Sequence, residues 1–179
     1  FRVTALREKL LEENRKVHWQ PDWAQKRFDN WLQSLGDWPI SRQRYWGIPL
    51  PIWVCTCGEV KVIGSVNELP EKAKDLHRPY IDEIVFDCHC GGAMKRIPDV
   101  LDVWFDSGLA SWASLGYPKN KTLFKKLWPC DFQTEGPDQI RGWWNSQLIS
   151  SMILFEKSPF KTALFHGFAL DAHGSKMSK

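Results

Sequence analysis

The chain has 179 residues, 43% hydrophobic and 25% charged, with a formal net charge of +3. Such a composition suits one ordinary globular domain, or a domain carrying a smaller insertion, and excludes a disordered or collagen-like chain. No apolar run approaches the roughly 18–20 residues that span a bilayer, and so small a positive charge permits nucleic-acid binding without requiring it.

The opening residues, FRVTALREKLLEEN, alternate charge with leucine and form no signal peptide. With no initiating methionine the chain reads as a piece of a longer protein, and with no secretory signal as one from a reducing, cytoplasmic compartment; a monomer is expected. An amphipathic helix is expected over 4–18, with Thr4 as its cap and Leu6, Leu10, Leu11 and Val17 at helical spacing. A second helix is expected from Pro21 or Asp22 to Leu35, its apolar stripe made of Trp23, Phe28, Trp31, Leu32 and Leu35, with Gly36 as the stop. The next stretch, DWPISRQRYWGIPLPIW, carries three prolines in thirteen residues and cannot be a regular helix.

From Val54 to about Arg96 short β-type runs and Cys-X-Cys pairs suggest a small inserted unit. DVLDVWF is a candidate buried strand ended by Asp106-Ser107-Gly108, and DFQTEG is another short strand. Gly136-Pro137 opens a long helix to about Phe155, with Ile140, Trp144, Leu148 and Met152 four apart, and KTALFHGFAL follows as a strand. Strand, helix, strand is a βαβ unit, so the last part of the chain is expected to be α/β with a parallel pair. Most of the eleven tryptophans are assigned to the core, Trp112, Trp128 and Trp144 most clearly.

VCTCGE and DCHCGG set Cys55, Cys57, Cys88 and Cys90 in two Cys-X-Cys-Gly knuckles. Four thiolates suit a tetrahedral zinc, and the glycines let the backbone turn so that amides face the sulfurs. Such a zinc is structural, since four protein thiolates leave no open coordination position. Cysteines without metal, reduced or oxidised, are the alternative. His77 and His89 are read as bystanders, and Cys130 as a small buried residue.

TEGPDQIRGWW places Glu135 at a strand end and Asp138 and Gln139 in the first helical turn, where an open α/β sheet binds ligands. Acidic residues also favour helix N-termini for dipole reasons alone. SKMSK sets two ammonium groups on a loop after a glycine, which suits either an anion such as triphosphate or plain solvation.

Taken in order, WPISRQRYWGIPLPIW, the cysteine insert, PDVLDVWFDSG, TEGPDQIRGWW and HGFALDAHGSKMSK resemble a class I aminoacyl-tRNA synthetase over roughly residues 37–179. DVWFDSG and EGPDQIRGWW are similar to its isoleucine-specific branch, whereas the valine and leucine branches typically depart at both places. The resemblance implies the second half of a Rossmann-type nucleotide-binding domain with parallel strands, carrying a small zinc-ribbon-like β insertion. The implied divisions are 1–47 (helical lead-in), 48–97 (zinc-binding insertion) and 98–179 (the Rossmann half).

It further implies that Trp104 and Trp143 wall the isoleucine pocket, and that Glu135, Gly136, Asp138 and Gln139 hold the aminoacyl-adenylate. His166, Gly167 and Phe168 fall where the family handles adenine. Lys176 and Lys179 match the signature lysines that stabilise pyrophosphate. Arg42 and Arg44 are either contacts for the tRNA acceptor end or packing residues. The implied partners are isoleucine, ATP with Mg2+, and the isoleucine tRNA. The family's His-Ile-Gly-His half is not in these residues, so the chain alone is expected to lack ligase activity. Valine- or leucine-specific enzymes and a zinc-ribbon RNA-binding module are the rival readings.

Overall fold

The leucines of the opening segment do form a helix, but a shorter one than expected. In the computed structural model, which describes residues 1–70 and 73–177, a 3-10 turn at Val3–Leu6 leads into helix α1, Arg7–Arg15, and the chain then extends into strand β1, His18–Gln20. The buried Asn14 explains the break. Its side chain accepts from Trp19 Nε1 at 2.9 Å and donates to Asp29 at 2.9 Å, drawing Trp19 into the core instead of continuing the helix. Thr4 does not cap; its amide and hydroxyl both donate to the Asp37 carboxylate. Helix α2, Trp23–Ser34, buries Ala24, Phe28 and Leu32 at four-residue spacing, while Trp23 lies outside the stripe, 56% exposed.

The chain divides into two compact units, Phe1–Trp38 with Trp104–Lys179, and Pro39–Val103. The second unit contains β2 (Ser41–Arg42), β3 (Ile52–Val54), β4 (Val60–Val62), β5 (Val85–Asp87), β6 (Ala93–Arg96) and β7 (Val100–Leu101). Strands β4-β3-β6-β5 form an antiparallel sheet over the buried Trp53, Ile63, Ile81, Ile84 and Met94, and β2 pairs antiparallel with β7. Arg96 runs beneath this sheet. Its wholly buried guanidinium lies 2.6 Å from the Asp82 carboxylate, donating to it through Nε and to the carbonyls of Leu50 and Asp99 through Nη1, which offsets much of the cost of burying the charge.

The strand expected at DVLDVWF is confined to Val100–Leu101. Val103–Gly108 is helix α3 instead. The β-branched and aromatic composition misleads here, because the buried Asp102 carboxylate accepts from Arg42 Nη2 and ends the pairing.

In the first unit α4 (Ala110–Ala113) and α5 (Thr122–Leu127) precede β8 (Gln133–Glu135), α6 (Trp143–Phe155) and β9 (Thr162–Phe165). Strands β1-β9-β8 make a parallel sheet, and β8–α6–β9 is the expected crossover unit. The long helix is interrupted, however: Pro137–Arg141 is a 3-10 turn, and α6 begins only after Gly142. Ile140, Trp144, Leu148 and Met152 are all buried. Of the tryptophans assigned to the core, Trp112 and Trp144 are buried, and Trp128 is half-buried against Phe124 and Phe155. Cys130 is also only half-buried.

Helix α6 carries polar groups into the core, and most are satisfied there, the buried Ser150 hydroxyl being an exception. Gln133 and Gln147 exchange amide hydrogen bonds at 3.0 and 3.2 Å, and Trp144 Nε1 donates to Gln133 at 3.1 Å. Against α3, a Cβ at Gly108 would lie 2.9 Å from the Ser146 backbone, so only glycine permits this approach of helices. Gln147→Leu strands the Gln133 amide donor in the core and should destabilise the fold by about 1–3 kcal/mol. Chemical denaturation measures this, and an unchanged midpoint would contradict the network.

Candidate functional site

The parallel pairing of β8 and β9 brings together two loops that are distant in sequence. His166, the first residue beyond β9, donates its amide to Glu135 O at 3.1 Å, extending the ladder past the strand ends. Immediately beyond, a Cβ at Gly136 would meet Asp138 Oδ1 at 2.6 Å and His166 Cε1 at 3.7 Å. Gly136, Asp138 and His166 therefore converge, and glycine keeps the backbone approachable there.

Gln139 ties this loop to the tryptophans. Its Nε2 donates to Asp138 Oδ2 at 3.0 Å, and its Oε1 accepts from the Trp143 amide at 3.0 Å. The Trp143 indole donates to Ser107 O at 2.9 Å, which fixes its ring against α3. A Cβ at Gly142 would lie 2.8 Å from Gln139 Oε1 and 3.1 Å from the Trp104 ring. Trp104, Gln139 and Trp143 are thus grouped around Gly142. Gly142 and Ser107 were not singled out in the sequence; the GWW spelling after the loop was the available signal for the first, and the second acts through its backbone alone.

His166 turns its Nδ1 onto Gly167 O at 2.7 Å, leaving Gly167 and Phe168 exposed. Beyond them Leu170 bridges antiparallel to Lys176, and the Asp171 carboxylate accepts from the amides of His173 and Ser175 at 2.8 and 2.9 Å. The loop is a small closed turn, with Lys176 Nζ 3.6 Å over the Phe168 ring. Lys179 lies outside the described residues.

In the other unit, Arg42 is taken up by Asp102 and by the carbonyls of Pro39 and Ser41, whereas Arg44 is exposed. The Sγ atoms of Cys55, Cys57, Cys88 and Cys90 all lie within 4.8 Å of one another, with Cys55–Cys90 and Cys57–Cys88 at 3.6 Å. The two knuckles are bonded alike: Cys55 N to Glu59 O and Gly58 N to Cys55 O in one, Cys88 N to Gly92 O and Gly91 N to Cys88 O in the other, all at 2.9 Å. Gly58 and Gly91 supply the positive φ of these turns, +92° and +78°. A Cβ at Gly92 would press within 3.1 Å of Cys55 Sγ.

The hydrogen bond from the Cys57 amide, with the other three thiols and against the effect of burial, lowers Cys55 to about 6. For Cys88 the Cys90 amide acts in the same sense, but burial and the three thiols together outweigh it and push the group up to about 12. Four sulfurs bound at about 2.3 Å to a tetrahedral zinc lie about 3.8 Å apart. The cluster fits that ion. Neither His77, stacked on Trp46, nor His89 belongs to it.

A parallel α/β crossover whose loops converge beyond the strand ends, where open α/β sheets bind their ligands, in a chain that also gathers four cysteines, defines the class as an α/β domain with a cysteine-knuckle unit. The chain belongs to the tRNA synthetases class I (I, L, M and V), whose sequence profile matches residues 1–179. It is 56% identical to the isoleucine–tRNA ligase of Archaeoglobus fulgidus and 54% identical to that of Methanoculleus marisnigri, in each case over 100% of this chain and 18% of that protein. The chain therefore spans about a fifth of the length of these curated relatives.

Among solved structures, the ternary LeuRS–tRNA–LeuAMS complex of Agrobacterium radiobacter K84 (agnB2) matches 81% of this chain and 21% of that one, with TM-score 0.59 and 31% identity. Mycobacterium tuberculosis methionyl-tRNA synthetase bound by methionyl-adenylate matches 100% of this chain and 27% of that one, with TM-score 0.60 and 23% identity, a likeness of fold.

The cysteine geometry leads to a direct expectation. The protein should carry one zinc per chain, and Cys88→Ser should lose it. Because ligation requires thiolates, affinity should fall as pH drops from about 7.5 to 5.5, most steeply below the value of about 6 to which Cys55 is lowered. Competition with a chromophoric chelator measures this, and an affinity independent of pH would contradict thiolate ligation.

Proposed function

We propose that the protein carrying this chain joins isoleucine to ATP as isoleucyl-adenylate, releasing pyrophosphate, and then transfers the isoleucyl group to its tRNA. The observation that carries this reading is the gathering of Gly136, Asp138 and His166 at the ends of β8 and β9, in a segment 54–56% identical to isoleucine–tRNA ligases. The isoleucine carboxylate attacks the α-phosphorus, the bond to the leaving pyrophosphate breaks, and Mg2+ bound to ATP neutralises phosphate charge. Side chains contribute position and electrostatics rather than covalent chemistry.

The roles follow the grouping. Trp104 and Trp143 bound the aliphatic side chain, their flat faces suiting a branched alkyl group. Glu135, Gly136, Asp138 and Gln139 hold the adenylate, with Asp138 accepting from the ribose. His166, Gly167 and Phe168 border the adenine. Lys176 and Lys179 offset charge on the departing pyrophosphate. Zinc on Cys55, Cys57, Cys88 and Cys90 supports the Pro39–Val103 unit, with 48–97 as the insertion. Arg44, being exposed, is the better candidate for a tRNA contact, and Arg42 holds the local backbone.

A hydrophobic pocket distinguishes isoleucine from valine by only about 1–3 kcal/mol, the worth of one methylene, so correction of errors falls to another part of the protein. Gly142→Ala tests the pocket. Its methyl would displace Gln139 Oε1 and the Trp104 ring, and KM for isoleucine in ATP–pyrophosphate exchange by the full-length protein should rise at least about tenfold, with KM for ATP changed less. Equal effects on both substrates would argue against Trp104 and Trp143 as the amino-acid walls. The 179-residue segment by itself should show no isoleucine-dependent exchange.

A further inference from the structure

One tryptophan of the helical lead-in touches the strand-end segment from a different element. Trp31 lies on α2, packed against the core but only half-buried. For packing alone another large apolar side chain would serve there. Trp31 also uses the two properties that set an indole apart. Its Nε1 donates to Asn145 Oδ1 at 3.0 Å, and its face takes the Arg141 guanidinium, 5.1 Å from the ring centroid.

Those two contacts fall on either side of Gly142. Arg141 ends the 3-10 turn Pro137–Arg141, which carries Asp138 and Gln139, and Asn145 lies in the first turn of α6, which carries Trp143. Glycine has the widest range of backbone angles, so by itself Gly142 would let turn and helix pivot. The hydrogen bond from the Trp143 amide to Gln139 ties the two pieces once. A single tie leaves a hinge; a second one from another element fixes the angle. The Trp31 indole is that second tie, and α2 holds it firmly. Phe28 and Leu32 on the same helix are wholly buried, and Asp29 accepts from Asn14 at 2.9 Å.

We propose that Trp31 is a positioning residue for adenylate formation: its indole braces the Gly142 break and so sets the placement of Asp138, on the turn, relative to Trp143, on α6. The proposal rests on the reading that these two residues hold the ribose and the isoleucine side chain. A particular kinetic signature follows. Isoleucine alone meets the tryptophan wall and ATP alone meets the strand-end loop, so neither senses the angle between them. Isoleucyl-adenylate, and the transition state that leads to it, span both and lose affinity when the angle is no longer held.

The test uses the full-length protein carrying Trp31→Phe, which keeps a ring face for Arg141 but no donor for Asn145, or Trp31→Leu, which keeps neither. Rates of isoleucine-dependent ATP–pyrophosphate exchange are taken per active site, counted by the adenylate formed in a single turnover. The kcat should fall about fivefold in Trp31→Phe, the worth of one hydrogen bond, and at least about tenfold in Trp31→Leu. KM for isoleucine and KM for ATP should each stay within about twofold. Affinity for a non-hydrolysable isoleucyl-adenylate analogue, measured by calorimetry, should fall by the same factor as kcat. Asn145→Leu should match Trp31→Phe, and the two together should cost no more than either alone, because they remove the same bond. Asn145→Asp, which keeps an acceptor for the indole, should retain most of the activity.

Absence of exchange in the unsubstituted protein would overturn the reading of its function and the positioning role with it. Intact exchange there, with fewer active sites or a lower denaturation midpoint in the variants but unchanged kcat per site and analogue affinity, would make Trp31 a packing residue and overturn the positioning role alone. So would a rise in both KM values that accounts for the whole loss of analogue affinity, since each half of the crevice would then be disturbed rather than the angle between them.

Discussion

The parallel pairing of β8 with β9 is the constraint on which the rest of the site depends. A parallel pair requires a crossover, and the crossover here is α6, packed almost wholly inside its unit. Once Gln133, Thr134 and Glu135 are in register with Ala163, Leu164 and Phe165, the loops leaving both strands must emerge side by side. The hydrogen bond from His166 to Glu135 is the visible consequence. The sheet register alone brings Gly136 and His166 side by side, while Trp143 depends in addition on its hydrogen bond to Ser107.

The tryptophan wall follows at one remove. Gln139 spends one end of its amide on Asp138 and the other on the Trp143 backbone, so the strand-end loop and the tryptophan pair form one hydrogen-bonded chain. The break at Gly142 is what allows this. A helix running unbroken from Pro137 would leave the Gln139 side chain on its outer face, whereas the 3-10 turn swings it back onto α6. The same reliance on backbone turns recurs in the cysteine unit, where two similarly bonded knuckles deliver two thiols each, with glycine at the turns and beside the sulfurs.

Much of this was legible in the sequence, and the failures have physical causes. The crossover unit, the cysteine cluster and the strand-end loop were readable because each rests on local chemistry: a hydrophobic period, ligand spacing, or turn residues at a strand end. Helix α3 was not, because Val103, Trp104 and Phe105 have strand composition and only the buried Arg42–Asp102 pair fixes where pairing stops. Strand β1 was hidden by its length of three residues and by Asn14, whose helix-ending role depends on Trp19 and Asp29.

The most direct test of the crevice is a crystal structure of the full-length protein with a non-hydrolysable isoleucyl-adenylate analogue. The expected density places the adenosine against Gly136 and His166, the ribose on Asp138, and the branched alkyl chain between Trp104 and Trp143. An analogue bound elsewhere, or with its alkyl chain away from both tryptophans, would contradict the central claim that the β8 and β9 ends form the adenylate site.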